Sequence, residues 1–151
     1  MINMLTAYTH EIDDVDTAVE ELLAQLDLRA NARKNSVGIL TCYAEYLYTG
    51  VVEAPCANLD FDVVGCTTLG NATADGAGMM VLALSVLTSD ALTFSTALSG
   101  SLAQDQQGPI ADAYARGVAA LGQAPALIIP YFPLINHVGG ERLFSELDRV
   151  S

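Results

Sequence analysis

Phe61-Asp62-Val63-Val64-Gly65-Cys66-Thr67-Thr68-Leu69-Gly70 is the run around which the rest of the chain is arranged. It opens as a short apolar run bounded by polar residues, which predicts a buried strand over Phe61 to Gly65. From Gly65 we predict a small turn of hydroxyl- and thiol-bearing residues that closes at Gly70. Ligands of open α/β sheets bind beyond the carboxyl ends of the strands, at the edge where such a turn lies. The candidate ligand-binding residues are Gly65, Cys66, Thr67, Thr68 and Gly70.

This turn has a second interpretation, in which it is purely structural. Two glycines can serve a tight connection, and threonine hydroxyls can satisfy nearby backbone groups. A nucleotide P-loop is excluded, because Gly70 is followed by Asn71-Ala72 where that motif needs Lys and Ser or Thr. The turn thus suggests a binding site without naming a reaction.

Upstream of this stretch, the hydrophobic pattern predicts alternating strands and helices. Apolar residues from Val15 to Leu26 recur at helical spacing, and Asp13 or Asp14 can cap that helix. Arg29 to Asn35 carries half of the basic residues and is expected to be a solvated loop. Two strands with a helical segment between them predict a parallel βαβ unit that ends in Phe61 to Gly65. The other predicted upstream elements are strands over Met4 to Thr9 and Val37 to Cys42, and a weak helix over Ala44 to Glu53.

Downstream of Gly70, a loop over Asn71 to Gly78 is expected to lead into paired strands. The runs Met79 to Leu87 and Leu92 to Leu98 are joined by Thr88-Ser89-Asp90, a spacing that predicts an antiparallel hairpin. Proline at the first helical position and a closing glycine then mark a further helix. The remaining predicted elements are that helix from Pro109 to Leu121, a strand over Ala126 to Tyr131, and a short helix after Gly139-Gly140.

The element order β-α-β-α-β-β-β-α-β-α indicates a mixed α/β (α+β) fold. We expect one mixed sheet of about six strands with helices packed against it. Residues 1–151 are expected to form a single domain that is a piece of a longer protein. The chain is 52% hydrophobic and only 16% charged. That apolar excess fits strands buried on both faces, or a surface covered by further chain or by a second subunit.

Charge and cysteine content exclude several classes of function. The net charge of −12 disfavours nucleic-acid phosphates and anionic membrane surfaces, which both attract basic residues. No window holds the roughly 18 consecutive apolar residues of a membrane helix, and the start of the chain lacks a signal-peptide pattern. Three cysteines are an odd number for a disulfide framework. These features predict a cytoplasmic protein.

A cysteine–histidine cluster is the one candidate for catalysis or metal binding. By the predicted strands, His10, Cys42, Cys66 and His137 all lie at or just beyond strand ends, so they could converge on one side of the sheet. Cys66 would then be a nucleophile activated by a neighbouring base. None of the four has the short-range spacing of a metal site, and unreactive packing is the commoner role of such cysteines. We therefore expect neither a metal nor a cofactor, and no enzymatic activity.

The residues resemble the N-terminal domain of the FIST family, the F-box and intracellular signal transduction proteins. The resemblance is carried by Val63 to Gly70 following Val37 to Thr41, and by Ala126 to Tyr131 followed by Gly139-Gly140-Glu141. It covers most of the chain from about Val15 onward. It implies a bacterial sensory module in signal transduction that binds a small molecule, with an amino acid as the candidate ligand. It also implies a C-terminal FIST domain or a signalling protein as partner, and it supplies no catalytic residues.

Three functional hypotheses follow, of which we favour the first, and the second is compatible with it. The first is a sensory domain that binds a small ligand at the turn. The second is an interaction scaffold that docks a partner or forms a homodimer. The third is an enzyme that uses Cys66 together with His10 or His137.

Overall fold

The computed structural model describes residues 1–103, 105–131 and 140–151. It divides into two compact units, Met1–Phe94 and Ser95–Ser151. Both helices and strands are present, so the predicted mixed α/β class is confirmed. Within the described residues, no helix is both long and apolar enough to cross a membrane.

A four-stranded sheet forms the centre of the first unit. Its strands lie in the order β1-β6-β2-β3, and a separate two-stranded ribbon pairs β4 with β5. β6 is antiparallel to both β1 and β2, whereas β3 is parallel to β2, as predicted for the βαβ unit. The strand bounds are β1 Ile2–Thr9, β2 Asn35–Cys42, β3 Val63–Thr67, β4 Asn71–Thr73, β5 Gly76–Gly78 and β6 Leu82–Ser89.

The helices of this unit follow the predicted pattern most closely at α1, Val15–Leu26. Its N-cap is Asp14, whose carboxylate accepts a hydrogen bond from the Thr17 backbone N–H at 3.0 Å. It ends at Asp27, which adopts the left-handed conformation with φ 42°. The shorter helices are α2 Leu28–Asn31, a 3₁₀ helix Ala44–Tyr48 and α3 Glu53–Ala57.

The core of the first unit lies between α1 and one face of the sheet. Alternate residues of each strand point into it, so β6 contributes Leu82, Leu84 and Val86 while its intervening residues are half-buried. Burying these side chains removes apolar surface from water and is the main stabilising term. The other buried members of this core are Ala7, Ala18, Leu22, Leu26, Leu40, Cys42, Tyr46 and Val51.

The second unit contains α4 Gln107–Leu121 and α5 Gly140–Val150. Its core consists of Leu102, Ile110 and Leu143. α4 ends, as predicted, at Gly122, which adopts the left-handed conformation with φ 75°.

Two predicted strands and two predicted loops are corrected by the structure. The expected loop over Arg29 to Asn35 begins within the helix α2, Leu28–Asn31, and ends at the first residue of β2. Leu92 to Leu98 and Ala126 to Tyr131 form no strand, so the expected hairpin of Met79 to Leu87 with Leu92 to Leu98 is wrong. β6 instead pairs on both sides with β1 and β2. Conversely, the expected loop over Asn71 to Gly78 contains the β4–β5 ribbon. The six strands of residues 1–103, 105–131 and 140–151 therefore form a four-stranded sheet and a ribbon rather than one sheet.

Candidate functional site

Several polar segments converge at one edge of the central sheet, which we call the carboxyl edge. β1 and β2 both run antiparallel to β6, and β3 runs parallel to β2, so the carboxyl ends of these three strands lie together. The start of β6 lies at the same edge, and the β4–β5 ribbon connects to it in the chain. His10 follows β1, Cys42 ends β2 and Cys66 lies within β3, so these three residues are near the same edge but on different strands. His137 lies outside the described residues.

The predicted turn starts later than expected. Strand β3 already includes the first three residues of that stretch, Gly65 to Thr67, which pair in register with Leu40 to Cys42 of β2. The connection from β3 to β4 is therefore only three residues long, Thr68 to Gly70. The strand continues because the backbone hydrogen bonds to β2 extend as far as Thr68, whose N–H donates to the Cys42 carbonyl at 2.8 Å. The interpretation of Gly65 as the point where the strand breaks is therefore wrong.

Gly65 is needed for close packing rather than for a turn. A Cβ at this position would overlap the carbonyl oxygen of Leu40, so only glycine lets β3 pair with β2 at this point. Gly70 has a related role, since its Cβ would lie 3.0 Å from the carbonyl oxygen of Gly78 on the ribbon. Both glycines thus bring backbone segments together at the carboxyl edge.

Asn71 is the residue that ties the carboxyl edge together. Its Nδ2 donates to the carbonyl of Thr41 at the end of β2, at 3.0 Å, and to the carbonyl of Val81 just before β6, at 2.8 Å. Its Oδ1 accepts a hydrogen bond from the Thr41 hydroxyl at 2.8 Å and a long one from Thr68 at 3.5 Å. One half-buried side chain therefore cross-links β2, the connection after β3 and the entry to β6.

The ribbon and the end of β1 are linked by a second set of polar contacts. The Tyr8 hydroxyl donates to the Asp75 carboxylate at the ribbon's turn. His10 donates from Nδ1 to the Met80 carbonyl at 3.0 Å, and its ring meets the Tyr8 ring edge-on. The imidazole is thus held against the segment that leads into β6.

The three cysteines are free thiols in different surroundings. Cys42 is buried in the core, and burial, with the nearby Cys66 and Glu53 adding to it, raises the pKa of its thiol. Burial also raises the pKa of Cys56. Neither thiol is set up as a nucleophile, because the reactive form is the thiolate.

Cys66 is not close to the one described histidine. β6 and β2 lie between β1 and β3, so Cys66 and the strand that precedes His10 are three strand spacings apart, about 14 Å. That separation exceeds the hydrogen-bonding reach of a general base. Across the described residues, no group of three or more His, Cys, Asp or Glu side chains could hold a metal ion.

Comparison with known proteins gives no relative for this chain. No family model, no curated protein and no solved structure matches it.

Sequence reasoning missed Asn71 as a component of this site. The sequence places it in a loop, because the stretch from Asn71 to Gly78 is rich in alanine, glycine and threonine. A usable signal was its position directly after Gly70, at the return of the chain from a strand end. There, a side chain with both donors and an acceptor can bond several exposed backbone groups.

Proposed function

We propose that the first unit, Met1–Phe94, is a sensory domain that binds a small polar ligand at the carboxyl edge of its sheet. The observation that supports this most directly is the convergence of three strand ends and a ribbon, cross-linked by Asn71, at one edge. Such edges are the usual ligand sites of α/β sheets. The FIST resemblance suggests an amino acid as ligand and a role in signal transduction together with a C-terminal FIST domain or another signalling protein. The cysteine count and the start of the sequence support a cytoplasmic location.

The chemistry available at this edge suits a small molecule with polar and apolar parts. The Thr67 side chain is exposed at the end of β3, and Cys66 is half-buried beside it. Leu69 and Met79 are 74% and 53% exposed on either side of the ribbon. Ligand sites commonly combine apolar lining with a few directed polar groups, and these residues offer both.

The test is a thermal-shift screen of the chain against the twenty amino acids. A ligand present at about 100 times its dissociation constant adds about 2.7 kcal/mol to the free energy of unfolding. For a protein of this size that gain raises Tm by several degrees. We expect at least one amino acid to do so, and we expect Thr67→Val combined with Cys66→Ala to abolish the shift.

The control variant is Thr6→Val, which removes an exposed hydroxyl from β1, the opposite edge strand. It should retain the ligand-induced shift in full. A shift that survives in the Cys66/Thr67 variant would place the ligand elsewhere, and the absence of a shift with every amino acid would contradict the proposed ligand class.

Homodimerisation is a second candidate function, and the free edge of β3 supports it. β3 is an edge strand that bonds to β2 through alternate residues, so the backbone groups of Val63, Gly65 and Thr67 point outward. Gly65 and Thr67 are exposed, and within the described residues no hydrogen bond occupies these outward groups. Unpaired edges of this kind are templates for strand addition.

A second copy of β3 fits this edge best when the two strands are antiparallel about Gly65. Val63 of each copy then lies opposite Thr67 of the other, and the two strands exchange about six hydrogen bonds. Asp62 lies opposite the uncharged Thr68 of the second copy, whereas a parallel arrangement would set Asp62 against Asp62. Like charges directly opposite one another are destabilising, so the antiparallel pairing is favoured.

The mass of the chain in solution tests this dimer. We expect a concentration-dependent dimer by light scattering, and we expect Thr67→Lys to shift it to monomer because charged side chains block edge pairing. Leu69→Lys adds the same charge just outside β3 and should leave the dimer intact. A monomer at every concentration, or equal effects of both lysines, would rule out pairing through β3.

A further inference from the structure

A cavity of about 480 Å³ lies at the opposite end of the sheet from the carboxyl edge. It is bounded by the segment before β2 and the start of that strand, and by the segment that precedes β3. Seven steps along β2, about 23 Å, separate its two ends, so this cavity and the carboxyl edge are distinct places. The lining residues are Leu28, Arg29, Ala32, Arg33, Lys34, Ser36, Asn58, Asp60 and Phe61.

The charge around this cavity is unlike that of the rest of the unit. Arg29, Arg33 and Lys34 are the only lysine or arginine residues between Met1 and Phe94, and all three line it. In the described part of the chain, none of the three forms an ion pair, although the chain carries eighteen acidic residues. The three residues are exposed, and an anion shared among them would offset the repulsion between their charges.

The backbone holds these cations at the cavity through contacts with the end of β6. The Arg33 N–H donates to the Thr88 hydroxyl at 2.6 Å, and the Lys34 N–H donates to Asp90 at 3.3 Å. The Ser36 hydroxyl donates to the same Thr88 oxygen at 2.9 Å. Thr88 is completely buried, so the backbone of Arg33 and Lys34 is anchored to the core while both residues stay exposed to solvent.

The other lining residues indicate what the rest of a ligand would be made of, beyond the group that the cations bind. Leu28 and Phe61 pack against the main core and give the cavity an apolar side. Asn58, Ser36 and the three cations supply the polar side. The volume lies within the range of small-molecule sites, and guanidinium pairs suit oxyanions, which they bind through two parallel hydrogen bonds.

We propose that this cavity binds a small molecule that bears an anionic oxygen group, a phosphate or a carboxylate, on an apolar body. A doubly charged phosphate ester suits three cations better than a single carboxylate does, since Coulomb attraction grows with the ligand charge. Polymeric phosphate is disfavoured because the net charge of −12 repels it beyond the immediate cavity. Asp60 also lines the cavity, and its carboxylate favours a ligand that carries a hydrogen-bond donor as well.

Titration calorimetry with three probes tests the proposal: phenyl phosphate, inorganic phosphate and benzoate. We expect phenyl phosphate to bind most tightly, about tenfold better than inorganic phosphate, because its ring can contact the apolar side. Tighter binding of benzoate would identify the carboxylate as the recognised group. Failure of all three probes to bind with a dissociation constant below about 10 mM would overturn the proposal.

Charge-neutralising variants distinguish this cavity from general attraction of anions. Arg33→Gln is expected to weaken phenyl phosphate binding about tenfold, and Arg29→Gln with Arg33→Gln about a hundredfold. Arg142→Gln, an equal loss of charge on α5 in the second unit, should leave binding unchanged. Equal losses in all three variants would refute a site at this cavity. The outcome of these titrations is independent of the thermal-shift screen with amino acids, because that screen tests the Cys66/Thr67 variant and not the residues of this cavity.

Discussion

Asn71→Ala is the substitution that most directly tests how the carboxyl edge is built. It removes three hydrogen bonds of ordinary length, between 2.8 and 3.0 Å, and one long bond to Thr68. A hydrogen bond of this kind contributes about 0.5–1.5 kcal/mol net. We therefore expect the free energy of unfolding to fall by about 3 kcal/mol, most of it from the carbonyls of Thr41 and Val81 left without their donor.

Urea denaturation followed by circular dichroism measures that loss, and a thermal scan gives a second estimate. A loss of about 3 kcal/mol corresponds to a fall in Tm of about 6–12 °C for a protein of this size. Asn58→Ala is the matched control. Its Nδ2 makes one exposed hydrogen bond, to the Ala54 carbonyl at 2.8 Å, and its removal should cost less than about 1 kcal/mol.

The isosteric variant Asn71→Asp separates hydrogen bonding from packing. It keeps the shape and one acceptor but replaces the donating amide by a carboxylate that faces two carbonyl oxygens. At neutral pH we expect it to be at least as unstable as Asn71→Ala, because a charged oxygen without donors is costly when half-buried. If both variants lost less than about 1 kcal/mol, the cross-linking role of Asn71 would be refuted.

Three further substitutions test other parts of the first unit. Gly65→Ala should lower the free energy of unfolding by about 3 kcal/mol, because the added Cβ would overlap the Leu40 carbonyl oxygen. Urea denaturation measures this loss, and an unchanged midpoint of the urea transition would contradict the close pairing of β2 and β3. Tyr46→Phe should change that free energy by less than about 1 kcal/mol, since the buried hydroxyl makes no hydrogen bond of ordinary geometry and has only a minor interaction with the Leu82 backbone. A larger loss would show that this interaction is a full hydrogen bond. The hydrogen bonds from Thr17 lower the pKa of Asp14 from 3.8, so its capping stabilises the fold above that pH and fades as the pH falls through the lowered pKa. The difference in Tm between wild type and Asp14→Ala should therefore shrink below about pH 4, and a constant difference would exclude the cap.

Local patterns in the sequence were sufficient to predict the elements that are stabilised by their own neighbours. The helix over Val15 to Leu26 has a periodic apolar face, a capping aspartate and a clear end, and its bounds agree with α1. The parallel pairing of β2 with β3 also followed from strand and helix spacing. In both cases the deciding interactions lie within a short stretch of chain.

The elements that were predicted wrongly depend on partners far away in the chain. β6 inserts between β1 and β2, and hydrophobic alternation in Leu82–Ser89 says that a strand is present but not which strands it joins. Leu92 to Leu98 has the same apolar character and is not a strand. The role of Gly65 was predicted wrongly for a similar reason. The sequence alone does not distinguish a glycine that permits close approach of two strands from a glycine that ends a strand.

The two outer strands of the central sheet, β1 and β3, also differ in how open their free sides are. On β1 the Gln25 side chain accepts from the Tyr8 N–H at 3.1 Å and donates to the Tyr8 carbonyl at 2.8 Å, as a neighbouring strand would. A strand that added beside Tyr8 would have to displace both bonds, whereas one that added beside Gly65 would displace none. Addition of a strand is therefore obstructed beside Tyr8 and open beside Gly65, and association through β3 alone closes at two copies instead of extending into a fibre.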